Sequence, residues 1–265
     1  MSVAAAPAWA PTIRSTSARV GDLLRAELAK LTSTRTAGWL VLSAAALSAL
    51  AVSGIVAGGA VTQDALATET GLRTVLAHGG MAAILPLILG ILISAGEYRH
   101  GTVVDTFLTE PRRDRVVGAK LAVGAGVGLV VGVLDAAVTA ATAAAWYSAK
   151  DVGLDLGSEV AVRSMVGIVV WTMLYGAIGV AVGAMIRTPP AAIVAVVVWL
   201  FIAETAVAGL LVDVGRWLPA TAASALGNAA LDGALSQVGG GVVLLGWTAL
   251  AAAGAFAATA RRDVT

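Results

Sequence analysis

Six long apolar runs, approximately Ala37–Ala60, Val75–Gly96, Val117–Tyr147, Val160–Ile186, Pro190–Leu211 and Gly239–Ala260, limit the folds open to this chain more than any other feature. A helix rises 1.5 Å per residue, so about twenty residues cross roughly 30 Å of hydrocarbon, and each run is long enough. Lipid offers the backbone no hydrogen-bond partners, so a spanning segment must be a helix or part of a closed barrel. The runs are continuous and show no ten-residue alternation, which selects helices. The charged share agrees: 12% of residues are charged, against about 25% in soluble domains. The expected fold is an all-α polytopic membrane protein, one transmembrane domain over 1–265 with six transmembrane helices.

The placement of Lys and Arg predicts the orientation. Arg14, Arg19, Arg25, Lys30 and Arg35 precede the first run. Arg99, Arg112, Arg113, Arg115 and Lys120 join the second to the third. Arg187, Arg261 and Arg262 bring that side to thirteen of the 17 basic residues. Arg73, Lys150, Arg163 and Arg216 fall on the other side. The positive-inside bias puts both termini and the second connection in the cytoplasm. The first twenty residues lack a basic stretch followed by an apolar core, so no signal peptide is expected.

Ahead of the first run, Val20, Leu23, Leu24, Leu28 and Leu31 fall on one helical face, with Arg19, Asp22, Arg25, Glu27 and Lys30 over the rest. This predicts an amphipathic helix on the cytoplasmic interface or against a partner. The outer connections Val61–Thr74 and Ser148–Glu159 are short and polar. The longer Val212–Val238 predicts one or two short helices at the outer leaflet, packed against protein.

Much chemistry is missing from the chain. It has no cysteine, no Gly-Lys dipeptide and hence no phosphate-binding loop, no His-Glu-x-x-His and no Gly-x-Ser-x-Gly. No enzymatic activity is expected of it. Two acids fall inside the runs, Asp135 in the third and Glu204 in the fifth, each roughly 20 Å from its cytoplasmic entry and so in the outer half. A carboxylate there costs about 2.5–3.5 kcal/mol on insertion scales and needs a partner or a task. Arg163 is the expected partner of Asp135, by snorkelling. Glu204, with Trp199 and Phe201 near it, is balanced between a structural and a pathway role. The third run carries small residues at every fourth position, Gly124, Gly128, Gly132, Ala136, Ala140 and Ala144, which predicts close helix packing. Tryptophans near run ends are expected to be interfacial anchors.

The internal segment Gly96–Lys120, "GEYRHGTVVDTFLTEPRRDRVVGAK", gathers nine charged residues. Val103, Val104, Phe107 and Leu108 recur at helical spacing with Asp105 and Glu110 between them. Pro111 stops that short helix, and Arg112, Arg113 and Arg115 form a basic patch at the inner leaflet. A mere connection needs two to eight residues. An apolar face flanked by acids points to a protein partner.

At this point the sequence resembles a known family. "GEYRHGTVVDTFLTEPRRDRVVGAKL" is similar to the signature of permease subunits of bacterial ABC exporters of the type-2 class, with Glu110 standing where many relatives have a small residue. "LLRAELAKLTSTRTAGWL" resembles that family's opening helix, and "RWLPATAASAL" its outer segment before the last span. The resemblance implies a connecting helix bearing Leu24, Arg25, Glu27, Leu28 and Leu31. It implies a coupling helix around Thr102–Thr109, set against a separate ATP-binding subunit. Contacts with that subunit would involve Glu97, Arg99, Thr102, Val103, Phe107, Leu108, Arg112 and Arg113. ATP and Mg would bind on the partner chain, with no cofactor here. Two permeases, a second copy or a paralogue, would pair in the bacterial cytoplasmic membrane. An amphiphilic, lipid or drug-like substrate would leave along spans two and five, past Leu85, Trp199, Phe201 and Glu204. The lipid bilayer is the remaining partner, and nucleic acid is not expected. The alternatives are a proton-coupled secondary transporter using Asp135 or Glu204, and a non-transporting sensor or assembly subunit.

Overall fold

The computed structural model describes residues 20–261; Arg14, Arg19 and Arg262 lie outside the described residues. The described residues contain helices and no strand. Six of the helical segments are long and apolar enough to cross a membrane, so the chain is a multi-pass membrane protein by length and composition. Span one is Arg35–Ala57, span two Glu69–His100, span three Arg113–Ala149, span four Glu159–Ile186, span five Pro189–Leu210 and span six Gln237–Arg261.

The ends lie within a few residues of the apolar runs, and local chemistry sets them. Span one stops at Ala57, ahead of Gly59 at φ +72°. Span two starts earlier than its apolar run because the Thr68 hydroxyl accepts from the Gly71 N–H at 3.1 Å, a side-chain cap. Span three begins at Arg113, so Arg113 and Arg115 belong to its first turn. Span four ends at Ile186 with Arg187 left-handed at φ 63°. Two spans are irregular. Span two contains a 3-10 stretch, His78–Ala83. Span five contains a π turn, Trp199–Ala203, a feature that recurs at functional sites.

Spans two and four form the centre. In each, 61% of the apolar window is buried, against 11% for spans five and six. Leu87 and Ile91 of span two pack with Trp171, Leu174 and Tyr175 of span four, and Ala223, Leu226 and Leu244 complete that core. A second core at the far end joins Val52, Val75, Leu76, Tyr147 and Ala161.

Glycines let three spans approach backbone to backbone. A Cβ on Gly124, Gly128 or Gly132 of span three would run into span four, at Gly176, Thr172 or Val169. The small-residue stripe therefore packs inside the bundle. A Cβ on Gly179 of span four would overlap the Leu87 carbonyl oxygen of span two, which cannot move without bending its helix. Gly179→Val is expected to cost about 1–3 kcal/mol through overpacking, read as a lowered denaturation midpoint in detergent. Gly118→Ala, with open space at its Cβ position, is expected to be neutral.

The segment between spans five and six holds a single turn, Val212–Gly215, and a short helix, Pro219–Leu226, which we call the cap helix. Its Ala222, Ala223, Ala225 and Leu226 are buried.

Candidate functional site

One end of the bundle carries a charged latch. The leading helix, Val20–Thr32, packs on the foot of span three and touches span one, and its Lys30 reaches Glu97 of span two. Lys120 of span three donates to Glu27 of the leading helix at 2.7 Å and meets Glu97 of span two at 2.9 Å. Lys30 donates to the same two carboxylates, to Glu97 at 2.6 Å and Glu27 at 2.9 Å. Two acids and two ammonium groups thus alternate in a closed square. Glu27, Glu97 and Lys120 are buried, while the Lys30 side chain is 48% exposed. Burial pulls the Lys30 ammonium toward a lower pKa, but the hydrogen bonds and charges of Glu97 and Glu27 outweigh it and raise the value above 10.5.

This corrects two expectations. Glu27 was placed on the polar face of the leading helix, yet it is that helix's buried residue. Leu24 and Leu31 are half-buried, whereas Leu28 and Arg25 are exposed. Glu97 was placed where span two meets water, yet it is enclosed by the two lysines. The physical reason is the same for both: apolar periodicity cannot register a charged partner supplied by another helix.

The segment between spans two and three forms a short helix, Val103–Thr109, ended before Pro111. Its apolar residues divide. Val103 is buried and Phe107 half-buried, while Val104 is 45% and Leu108 76% exposed. The Arg113 guanidinium stacks over the Phe107 ring at 5.3 Å and donates to the Thr259 carbonyl of span six at 3.1 Å. Glu110, expected to flank the contact face, is fully buried; it accepts from the Arg112 N–H at 3.1 Å and lies 3.9 Å from Arg115. Asp105, Arg99, Thr102 and Arg112 are exposed. Arg187 of the connection between spans four and five stacks on Tyr98 at 4.7 Å. The short helix is therefore held on its inner side and offers Val104 and Leu108 on its outer side.

Asp135 and Arg163 do not meet. Arg163 pairs with Glu159 at 2.7 Å and is 61% exposed, while Asp135 is wholly buried. Neither Asp135 oxygen makes a well-formed hydrogen bond among the described residues, although the Ser48 hydroxyl stands beside the carboxylate. Snorkelling favours the end of span four for Arg163, because water and Glu159 are nearer to hand than a carboxylate inside the bundle.

Glu204 has a specific task. It is buried, and its Oε1 accepts the backbone N–H groups of Ala220 and Thr221, the latter at 3.0 Å. These are free N–H groups of the cap helix's first turn, so a carboxylate from span five caps that helix from outside. The four residues grouped as a pathway separate. Trp199 lines an apolar groove of about 540 Å³ between spans two, four, five and six, with Leu87, Tyr175, Trp247 and Leu250. Phe201 is 57% exposed, and Leu85 packs on the other side of span two with Ala44, Ala82 and Val131.

Lys30 and Lys120 were not legible as site residues, although Glu27 and Lys30 stand three apart, a spacing that pairs on a helix. Tyr175 and Trp247 carried no signal beyond their type. Compared with models of known protein families and with characterised proteins, the chain matches none.

Proposed function

We propose that this protein is the membrane permease subunit of an ATP-driven exporter, with ATP and Mg bound on a separate subunit that docks on the short helix Val103–Thr109. The observation that carries this reading is the outward pair Val104 and Leu108 on a helix otherwise anchored through Val103, Phe107 and Arg113. An exposed apolar pair on a firmly held element suits a groove on a partner better than it suits water. The basic bias of this end supports a cytoplasmic side for it, where ATP is available. The latch supports the reading, because the leading helix and the feet of spans two and three would move as one body when the partner pushes. Exposed Arg99, Thr102 and Arg112 would rim the contact.

The apolar groove supports an amphiphilic or lipid-like cargo, since its lining offers little for a sugar or an ion to bind. The thinly covered spans five and six leave a face for lipid or for a second permease, a copy or a paralogue. ATP binding and hydrolysis on the partner would shift the permease pair between two access states.

Leu108→Asp tests the proposal with little effect on the fold, since the side chain is 76% exposed. A candidate ATP-binding subunit from the same genome is co-expressed and co-purified with this chain, and ATP-coupled transport is measured in proteoliposomes. The variant is expected to keep its thermal midpoint while losing co-purification and transport at least tenfold, on the scale of a charge placed in an apolar contact. Full retention of both overturns the docking assignment. Transport that persists without the ATPase and collapses with an ionophore points to a secondary transporter instead.

A further inference from the structure

Spans one, two and three enclose a polar cluster that neither the latch nor the groove uses. Asp135 and Thr139 lie one turn apart on span three, both without exposed surface. Ser48 of span one, equally buried, sits beside the Asp135 carboxylate and donates to the Gly79 carbonyl oxygen at 3.2 Å. Gly79 belongs to the 3-10 stretch that interrupts span two, and a Cβ there would overlap the Thr139 hydroxyl. The four groups therefore converge from three helices, and only glycine allows the approach.

Neither Asp135 oxygen makes a well-formed hydrogen bond among the described residues, because the Ser48 hydroxyl beside the carboxylate is turned to the Gly79 carbonyl, and the Thr139 hydroxyl has no partner there. The contrast with other buried threonines is informative. Thr172 and Thr259 donate to the carbonyl four residues back, at 2.8 and 2.9 Å, the usual resting place of a helix hydroxyl. Thr139 forgoes that bond and is directed at Gly79.

No basic side chain answers the carboxylate among the described residues. Arg73 pairs with Glu69 at 2.8 Å and Arg163 with Glu159 at 2.7 Å. Lys150 stands just beyond the end of the same helix, about 22 Å away by helical rise. His78, next to Gly79, places Nδ1 2.6 Å from the Thr74 carbonyl oxygen. A lone carboxylate in hydrocarbon is costly enough that such a group takes up a proton or holds a counter-charge.

We propose that Asp135, Thr139, Ser48 and the Gly79 carbonyl form a binding site for a small monovalent cation, sodium. The donors are all oxygen, the choice of hard cations. One formal negative charge balances one positive and leaves the buried site neutral, whereas a divalent ion would leave net charge in the bundle. Interrupted helices supply carbonyl oxygens to sodium in membrane proteins, and the Gly79 carbonyl, in the 3-10 stretch of span two, is reached from span one by the Ser48 hydroxyl. Binding would tie spans one, two and three together far from the latch. The site stands independently of whether an ATPase docks on the short helix.

The purified full-length protein in detergent is unfolded thermally in sodium, potassium or choline chloride, at equal ionic strength and fixed pH. Sodium is expected to raise Tm over choline in a saturable way, and Asp135→Asn to abolish the difference. Thr139→Val is expected to raise the half-saturating sodium concentration about tenfold, the size of one lost contact to a charged group. An equal Tm in sodium and choline overturns the proposal, as does a sodium-specific rise that survives in Asp135→Asn. Potassium acting equally at the same concentration overturns the assignment to a small cation. A Tm that responds to acidification and not to sodium overturns it in favour of a proton held on Asp135. Should Asp135→Asn fail to fold, Thr139→Val and Ser48→Ala carry the test, and unchanged half-saturation in both overturns the site.

Discussion

Lys120→Met is expected to destabilise the protein by about 3–5 kcal/mol, the cost of removing one partner from a buried ion pair. The Lys120 side chain is 6% exposed and lies 2.7 Å from Glu27 and 2.9 Å from Glu97. Without it, two buried carboxylates share the single ammonium of Lys30, and their mutual repulsion is no longer offset. Lys30→Met is expected to cost less, because that side chain is 48% exposed and water already screens it. Chemical unfolding in detergent separates the two; equal losses would show that the buried arm of the square does not carry the latch. Glu27→Gln added to Lys120→Met is expected to recover part of the loss, because it removes one of the stranded charges. The pH dependence follows from Lys30. A lysine whose folded pKa is raised contributes stability that is fully present below its unfolded value of 10.5. That contribution disappears only as pH climbs through the higher folded value, so the latch is intact at neutral pH and fails in strong base.

The second large effect is expected at Glu204. Glu204→Ala strands the N–H groups of Ala220 and Thr221 at the start of the cap helix, at a cost of about 2 kcal/mol for two half-buried donors. Glu204→Gln keeps an acceptor oxygen and is expected to retain most of that stability. Hydrogen exchange reads the effect locally: in the alanine variant the amides of 219–226 are expected to lose protection before those of spans two and four. If all amides lose protection together, the carboxylate supports the whole bundle and not the cap helix. Because Pro219 also lines the apolar groove, a loosened cap helix would open that groove at one end. Transport, if it uses the groove, should then change without any change at the short helix.

Several elements were legible in the sequence for a plain physical reason. A membrane span is a matter of length and polarity, both readable along one dimension, so the six runs and the six spans agree to within a few residues, apart from the earlier start of span two and the longer span three. The short helix before Pro111 was legible as well, since a proline past the first turn removes a backbone donor and clashes with the preceding turn. The stripe at Gly124, Gly128 and Gly132 predicted close packing, and the packing is there against span four.

The charged residues are where linear reading failed. Glu27, Glu97 and Glu110 looked like surface groups because each sits in a polar stretch, yet all three are buried. Asp135 and Arg163 looked like partners because both occur near the outer side, yet Arg163 is exposed and paired with Glu159 while Asp135 is wholly buried. Leu85, Trp199, Phe201 and Glu204 share two spans but face different neighbours. The sequence alone determined how many helices cross, where they end and which end is basic, because those properties are local. Tertiary structure alone decided which charge meets which, because an ion pair depends on the angle and depth at which distant helices bring their side chains together.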